Sequence, residues 1–296
     1  MKKIIFLLSI FLTVALTEQI NAQDQGIIDS LQNELTKAKD DTNKTKIYYY
    51  LSYKYMQNSP QKAASYLWPG LAHAQKMKWE KGIAAFYTAI GEYYAKHNWY
   101  DSALFYYNLA LPIEEKMDRK LGILSLYNNL GNIYSNQSNA QKSLEYYFKA
   151  LDIALQLKDK NRLSLLYGNI GNTYFDGGNY SKARAYSVKA LDAAREAGDK
   201  ERIGSSLQGL GNISQIQKDT MQALNYYRQA LALFREMDNK ENEAETLSNM
   251  ATLEEDYRQR LEMELEAKTL FDSMKLVQHG TAIANLGNIG VAYLNV

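Results

Sequence analysis

The pattern of apolar and polar residues repeats every forty residues along most of this chain. The stretches LYNNLGNIY, LLYGNIGNTY and LQGLGNIS share a common centre, and their glycines Gly131, Gly171 and Gly211 lie forty residues apart. The pattern extends back to YTAIGEYY at Gly91 and forward to LSNMATLE, where Ala251 takes the place of the glycine. A fixed period of this length is typical of a chain built from repeated structural units.

The spacing within each repeat predicts two α-helices. Tyr127, Leu130 and Tyr134 lie at positions i, i+3 and i+7, which places them in one stripe on a helix together with Gly131. After a polar turn, a second helix carries a small residue, a tyrosine and an alanine at matching positions, with Ser187 replacing the tyrosine in one copy. The matching sets are Ala103, Tyr107, Ala110; Ser143, Tyr147, Ala150; and Ala223, Tyr227, Ala230. We expect the small residues to allow close helix packing, which accounts for the repeated glycine.

An aromatic residue, then Leu-Gly-x-x-Tyr, then Ala-x-x-x-Tyr-x-x-Ala resembles the signature of the tetratricopeptide repeat (TPR). The usual period of that repeat is about 34 residues, and the forty-residue period resembles a variant with longer helices found in several peptide-binding and signalling TPR proteins. The resemblance covers residues 44–296 and is strongest over 80–237. It implies an all-α, right-handed TPR superhelix, or α-solenoid, of about six helix pairs plus a terminal helix.

The repeat register predicts the organisation of the chain. An N-terminal capping helix is expected within residues 23–43, with apolar spacing at Ile27, Leu31 and Leu35. Asp159 and Asp199 stand where they can cap incoming helices. The predicted segments of the TPR solenoid at 44–296 are the pairs 44–77, 80–116, 120–157, 160–197, 200–237 and 240–276, and a partial repeat at 280–296.

Residues 1–22 have the features of a signal peptide. Lys2 and Lys3 precede an apolar run of thirteen residues at 4–16, and Ala22 offers a small residue at a cleavage point. The run is shorter than the ~18 residues typical of a membrane-spanning helix. A buried first helix is the alternative interpretation. The prediction is an exported protein, periplasmic or secreted after cleavage near Ala22, with no transmembrane segment in the mature chain.

Composition and charge exclude several classes of function. The net charge of +1 gives no strong field for nucleic acid or an anionic membrane. Cysteine is absent, which excludes disulfides, thiolate metal sites and a cysteine nucleophile. The 24 tyrosines allow a carbohydrate-stacking interpretation, but most lie at repeat positions where packing explains them.

A catalytic constellation is not recognisable in the sequence. The three histidines, His73, His97 and His279, fall in different repeats and have no partners at metal-ligand spacing. GNIGN at 168–172 lies mid-helix in the repeat register and does not predict a phosphate-binding loop. We therefore predict a non-enzymatic protein with no catalytic residues, no metal and no cofactor.

A recurring polar position remains after packing has been considered. Asn132, Asn172 and Asn212 directly follow the repeated glycine, and Glu92 fills the same position one repeat earlier. At 100° per residue, Asn132 lies about 150° from the apolar stripe. The TPR resemblance implies that this side of the first helix lines a concave groove, where a carboxamide can donate to and accept from a peptide backbone. The candidate peptide-binding residues are Glu92, Asn128, Asn132, Asn136, Asn172, Phe175, Asp176, Gln208, Asn212 and Gln215.

Two alternatives stay open for these asparagines. In the first, they hydrogen-bond to the adjacent repeat and not to a ligand. In the second, the ligand contacts come from a second row, Asn129, Asn169, Asn249 and Asn285. The second row lies near apolar positions and looks more like an inter-repeat contact. Asparagine is a poor helix former, so either role would compensate for its recurrence in mid-helix.

The last segment is uncharged. Residues 276–296 contain no Asp, Glu, Lys or Arg, whereas terminal repeats normally present a polar outer face. We expect that face to be covered by a partner or by self-association. The candidate interface residues are Leu286, Ile289, Val291 and Tyr293.

The sequence thus predicts a protein–protein interaction scaffold that binds a peptide or protein segment of unknown identity in the groove. The alternative is a sensor or oligomerisation module of a signalling system, acting through the uncharged C-terminal helix. The export signal and the stretch IDSLQNELTKAKDDTNK resemble the extracytoplasmic TPR regions of bacterial sensor kinases and regulators. A small-molecule sensor with an enclosed pocket is a third interpretation.

Overall fold

A computed structural model describes residues 25–274, and every regular element in that range is an α-helix. The first helix, α1, covers residues 25–37. The others are α2 (Thr42–Asn58), α3 (Pro60–Lys76), α4 (Glu80–Lys96), α5 (Tyr100–Lys116), α6 (Lys120–Asn136), α7 (Ala140–Leu157), α8 (Lys160–Asp176), α9 (Tyr180–Ala197), α10 (Lys200–Ile216), α11 (Thr220–Glu236), α12 (Lys240–Ala251) and α13 (Tyr257–Ser273). The prediction of an all-α fold of paired helices is confirmed.

The turns between helices repeat with the same geometry. One residue in the left-handed region of backbone conformation recurs every twenty residues, at Lys78, Asn98, Asp118, Ser138, Lys158, Gly178, Gly198, Lys218 and Asp238. In the turn after α4, the Asn98 and Trp99 N–H groups donate to the carbonyls of Ala95 and Tyr94, both at 3.0 Å. Such turns satisfy carbonyls that the end of a helix leaves without partners.

Side-chain caps start many of the helices. Asp159 accepts a hydrogen bond from the N–H of Arg162 at 3.1 Å, and Asp199 accepts one from Arg202 at 3.0 Å. Both caps predicted from the sequence are confirmed. A cap of this kind stabilises a helix by about 1 kcal/mol, so the charged turns set where the first helices begin.

The chain divides into two compact units, one ending at Ile133 and the other beginning at Tyr134. In the first unit, α2 packs on α3 and α4 on α5, and Leu51, Leu67 and Phe86 lie in the core. In the second unit, α8 packs on α9, α10 on α11 and α12 on α13, with the side chains of Tyr227 and Phe234 buried. First helices of neighbouring pairs also meet: α2 with α4, α8 with α10, and α10 with α12.

Helix α1 buries a different residue from the one expected. Ile28 is buried against the core of the first unit and Leu31 and Leu35 pack beside it, whereas Ile27 is exposed. Of the apolar spacing at Ile27, Leu31 and Leu35, the two leucines pack against the core, and Ile28 is buried in place of Ile27. Both residues are isoleucine, so the sequence pattern alone did not distinguish them.

The repeated glycine makes room for an aromatic ring. A Cβ atom on Gly91 would lie 2.4 Å from the ring of Tyr107, and one on Gly211 would lie 2.5 Å from the ring of Tyr227. Real Cβ atoms do not approach ring carbons so closely, and both tyrosines are buried. A buried tyrosine on the second helix of a pair therefore requires a glycine at the facing position of the first helix.

Some predictions lie outside the described residues. These are the signal peptide at 1–22, the partial repeat at 280–296, His279, Asn285, and the interface residues Leu286, Ile289, Val291 and Tyr293.

Candidate functional site

The predicted peptide-binding residues lie on the first helices α4, α6, α8 and α10, and their exposure differs. Asn136, Asn172 and Asp176 are exposed to solvent. The others are half-buried: Glu92, Asn128, Asn132, Phe175, Gln208, Asn212 and Gln215. Equivalent positions in the repeat therefore have different surroundings.

Asn212 and Gln215 are bonded within the protein. The hydroxyl of Tyr227 on α11 lies 2.6 Å from Asn212 Oδ1 and 2.7 Å from Gln215 Oε1, so its single proton can be donated to either oxygen. Two further hydrogen bonds reach the next pair. Asn249 Nδ2 donates to Asn212 Oδ1 at 3.4 Å, and Gln215 Nε2 donates to Thr252 Oγ1, at the end of α12, at 2.8 Å. These side chains join α10 to α11 and α12, so their main role here is to connect neighbouring helices.

The same connection occurs in the first unit with a carboxylate. Asn129 Nδ2 on α6 donates to Glu92 Oε1 on α4 at 3.3 Å. Burial raises the pKa of Glu92 above its ordinary value, and the hydrogen bond from Asn129 and the charge of Lys96 oppose that rise. In both units, then, an asparagine of the second row donates to the residue that directly follows the repeated glycine in the preceding pair: Asn129 to Glu92, and Asn249 to Asn212. For Glu92 and Asn212 the inter-repeat alternative describes the contact that is present.

Asn172 differs from these two. Its side chain is exposed and makes no hydrogen bond with any of the residues 25–274. The second-row position on the following helix is Gly209, which has no side chain to donate. The tyrosine position on its own partner helix is Ser187. Both groups that hold Asn212 in place are therefore missing around Asn172.

A cavity of about 240 Å³ lies where these groups are missing, between α8, α9 and α10. Ser187 and Ala190 of α9 form part of its wall. Its remaining lining comes from the first helices: Ser164, Leu165, Gly168, Asn169 and Asn172 on α8, and Glu201, Arg202, Ser205, Ser206 and Gly209 on α10. The wall is thus mostly polar and includes the predicted residue Asn172.

A second cavity, of about 290 Å³, lies in the first unit and includes surface of both α2 and α4. It combines aromatic and cationic side chains. Its aromatic walls are Tyr49, Tyr50, Trp79 and Phe86, and its cations are Lys46, Lys81 and Arg119. Arg119 forms an ion pair with the buried Glu114, at 2.8 Å between Nη1 and Oε1, and burial raises the pKa of Glu114. The sequence interpretation did not include this cavity.

Many tyrosine rings pack against other tyrosine rings. Tyr94 stacks on Tyr106 with ring centroids 5.6 Å apart, and Tyr174 stacks on Tyr186 at the same distance. Each stack joins the first and second helix of one pair. Offset ring pairs of this kind stabilise a fold by about 1 kcal/mol beyond simple burial. The packing interpretation of the tyrosines agrees with these contacts.

The histidines of the described range also have local partners. His73 lies 2.7 Å from Thr45 Oγ1 and 2.6 Å from Asp40 Oδ1, and His97 Nδ1 lies 2.7 Å from the carbonyl of Tyr93. Within residues 25–274, no group of three or more His, Asp or Glu side chains is arranged to hold a metal ion. Over the same range, no helix is both long and apolar enough to cross a membrane.

A tetratricopeptide-repeat family model matches residues 122–196. The paired helices of residues 25–274 have the tetratricopeptide-repeat fold. A comparison with curated proteins gave no match. Solved structures with the same fold share little sequence with it.

Three structures illustrate this similarity. A signal-transduction ATPase (STAND) protein with a TPR sensor, from Pyrococcus horikoshii, has a TM-score of 0.72 and 19% identity. The similar region covers 90% of this chain and 42% of that protein. The apo form of RapI has a TM-score of 0.70 and 17% identity over 84% of this chain and 93% of its own. Aspartyl phosphate phosphatase F from Bacillus subtilis has a TM-score of 0.66 and 13% identity over 88% and 70%. At these identities the similarity establishes the TPR fold.

Proposed function

We propose that this TPR protein is a non-enzymatic, exported interaction scaffold that binds a peptide or protein segment across its first helices, in a concave groove. The observation that carries the proposal is the position of the cavity between α8 and α10. It is open between first helices of neighbouring pairs, on the face that carries Asn172. A bound segment would meet the exposed side chain of Asn172 in the cavity wall and, one helical turn further along α8, the exposed side chain of Asp176.

The cavity between α2 and α4 supports the same proposal for the first unit. A peptide that passes between two first helices would meet aromatic surface from Tyr49 and Trp79 and positive charge from Lys46 and Lys81. Aromatic and cationic side chains are common contact residues in protein interfaces. Export is proposed from the charge and apolar pattern of residues 1–22.

The test is a capture experiment with matched surface variants. The purified chain is immobilised and exposed to an extracytoplasmic extract, and bound proteins are compared between the wild type and two variants. Asn172→Ala with Asp176→Ala alters the proposed face, whereas Lys189→Ala with Asp192→Ala alters exposed positions on α9 outside the cavity. We expect a captured protein to be lost with the first variant and kept with the second. Equal capture by both would contradict binding on this face.

The second candidate function is a sensor or oligomerisation module acting through the uncharged C-terminal segment. The structural similarity to a protein whose TPR region is a sensor favours it. Light scattering of the purified chain and of a variant carrying Leu286→Lys and Val291→Lys would test it. A self-associating wild type and a monomeric variant are the expected results. A monomeric wild type at high concentration would contradict self-association.

A further inference from the structure

The cavity between α8 and α10 lies where the chain departs from its own repeat. At the equivalent place one repeat later, the ring of Tyr227 fills the space beside Gly211, and Asn249 bonds to Asn212. Between α8 and α10, serine replaces the tyrosine at position 187, and Gly209 replaces the asparagine. A Cβ on Gly209 would meet no atom within 4 Å, so the space beside it is open.

The wall of this cavity contains a buried polar group that the protein does not satisfy. Ser164 is 3% exposed, and its hydroxyl has no hydrogen-bond partner in the described structure. In other repeats its position is held by Leu124, Gly204 and Ala244, none of which has a polar side chain. A buried hydroxyl without a partner has a free-energy cost, because it has lost its hydrogen bonds to water and gained none in the protein. A ligand group that bonds to Ser164 would recover that cost.

The charges around the cavity favour a neutral occupant. Glu201 is exposed and makes no ion pair within the described range, so its carboxylate disfavours an anionic ligand in the cavity. Arg202 forms an ion pair with Asp199, with its Nε 3.0 Å from Asp199 Oδ2, so part of its positive charge is compensated within the protein. An apolar group would leave the Ser164 hydroxyl buried without a partner, which is also unfavourable.

The volume favours one side chain over a whole small molecule. A cavity of about 240 Å³ is smaller than the roughly 300–1,000 Å³ typical of sites for drug-sized ligands. A carboxamide both donates and accepts hydrogen bonds. It could therefore accept from Ser164 and donate to the carboxylate of Glu201 or to the side-chain oxygen of Asn172.

We propose that this cavity is a specificity pocket for a glutamine or asparagine side chain of the bound peptide segment. The proposal rests on the proposed function, because it assumes a peptide on the first-helix face. It adds the position on the protein at which one side chain of that peptide is selected, and the chemical class of that side chain.

The experiment starts from random peptides selected on the immobilised full chain. The strongest binder is synthesised, together with versions in which its shared glutamine or asparagine is changed to glutamate and to leucine. Affinities are measured by fluorescence anisotropy. We expect a carboxamide at one common position of the selected peptides, and affinities about tenfold weaker for each changed version, which is a typical effect of leaving a buried polar group unpaired.

Three protein variants locate the side chain. Gly209→Asn restores the asparagine of the repeat inside the cavity, and should raise the melting temperature because glycine is a poor helix former while lowering affinity at least about tenfold. Ser187→Tyr fills the cavity from the α9 side. Ser181→Tyr is the matched control, since Ser181 is exposed on the same helix and does not line the cavity. The control should bind as the wild type does.

The outcomes separate the two proposals. Peptides that bind Gly209→Asn and the wild type equally would overturn the pocket while leaving the proposed function in place. Peptides without a common carboxamide, or a changed peptide that binds equally well, would overturn the assigned chemistry of the pocket. Failure to select any peptide would overturn both proposals. A stable Gly209→Asn protein that no longer binds the selected peptide would support the pocket even if Ser187→Tyr did not fold.

Discussion

Asn172 and Asn212 occupy the same position in successive repeats, yet only Asn212 is bonded to neighbouring helices. The difference comes from residues outside their own helix: Tyr227 and Asn249 bond to Asn212, whereas Ser187 and Gly209 stand at the equivalent places around Asn172. One residue type at one repeat position thus has two roles. The asparagine connects helices in one place and is exposed to solvent in the other.

This difference predicts different effects on stability. Asn212→Ala removes an acceptor of Tyr227 and of Asn249, so we expect a loss of about 1–2 kcal/mol in the free energy of unfolding relative to Asn172→Ala. Both changes replace an asparagine in mid-helix by alanine, so the helix-propensity gain is the same and cancels. Asn172→Ala should be within about 0.5 kcal/mol of the wild type or slightly more stable. Urea denaturation measures both, and equal stabilities would contradict the bonding described for Asn212.

Glu92 provides a prediction that depends on pH. Burial raises its pKa above the ordinary value of 4.5, so the folded state binds its proton more tightly than the unfolded state does. Stability from this group is therefore present below the unfolded pKa and is lost as the pH rises through the folded pKa. Glu92→Gln keeps an oxygen for Asn129 and removes the charge. We expect the variant to be more stable than the wild type at pH 7.5 and nearly equal at pH 4.

Glu145→Gln is the control for that experiment. Glu145 is exposed, and its hydrogen bond to Lys149 lowers its pKa. Its contribution is present above the unfolded pKa and is lost as the pH falls through the folded pKa, so its replacement should destabilise the protein at pH 7.5 only. Thermal unfolding at the two pH values measures both variants. A Glu92→Gln protein less stable at pH 7.5 would contradict the assigned direction.

At the scale of the helix, two glycines of α10 have opposite requirements. Gly211 faces the buried ring of Tyr227, 2.5 Å from where a Cβ would lie, whereas Gly209 faces open space. Gly211→Ala should destabilise the protein by about 1–3 kcal/mol, because a buried ring cannot move aside without strain. Gly209→Ala should stabilise it by about 0.5–1 kcal/mol through helix propensity. Chemical denaturation of the two variants compares the same change on one helix.

The helices could be predicted from the sequence, whereas the bonds between them could not. Apolar spacing and capping residues act within one helix, so Asp199 could be assigned as a cap from its position alone. The bond from Asn129 to Glu92 joins residues 37 positions apart. It depends on how one pair is placed on the next. The isoleucine of α1 that is buried likewise depends on the surface that α1 meets.

The cavity between α8 and α10 could not be predicted from the sequence either, and the reason is physical. Its volume depends on side chains that are absent, such as those at Gly168 and Gly209, and on the approach of three helices. The departure of Ser187 from the tyrosine position was visible in the sequence. Whether neighbouring side chains would fill the resulting space could be decided only from the packed structure.

At the scale of the molecule, stability should be distributed along the chain by nearest-neighbour contacts. The helices of the second unit pack in chain order, α8 on α9, α9 on α10, α10 on α11 and α11 on α12. In such a stack, each pair is stabilised by itself and by its immediate neighbours. Local opening then involves groups of adjacent helices and not the whole chain at once.

Hydrogen exchange of the Gly211→Ala protein would test this distribution. The substitution weakens the packing of α10 on α11, so their amides should lose the most protection. Amides of α9 and α12 should lose less, since these helices pack on the weakened pair. The helices α2 to α5 belong to the other compact unit and should keep the protection of the wild type. A loss of equal size in α2–α5 and α10–α11 would show that the chain unfolds as one cooperative block, and the nearest-neighbour description would then be wrong.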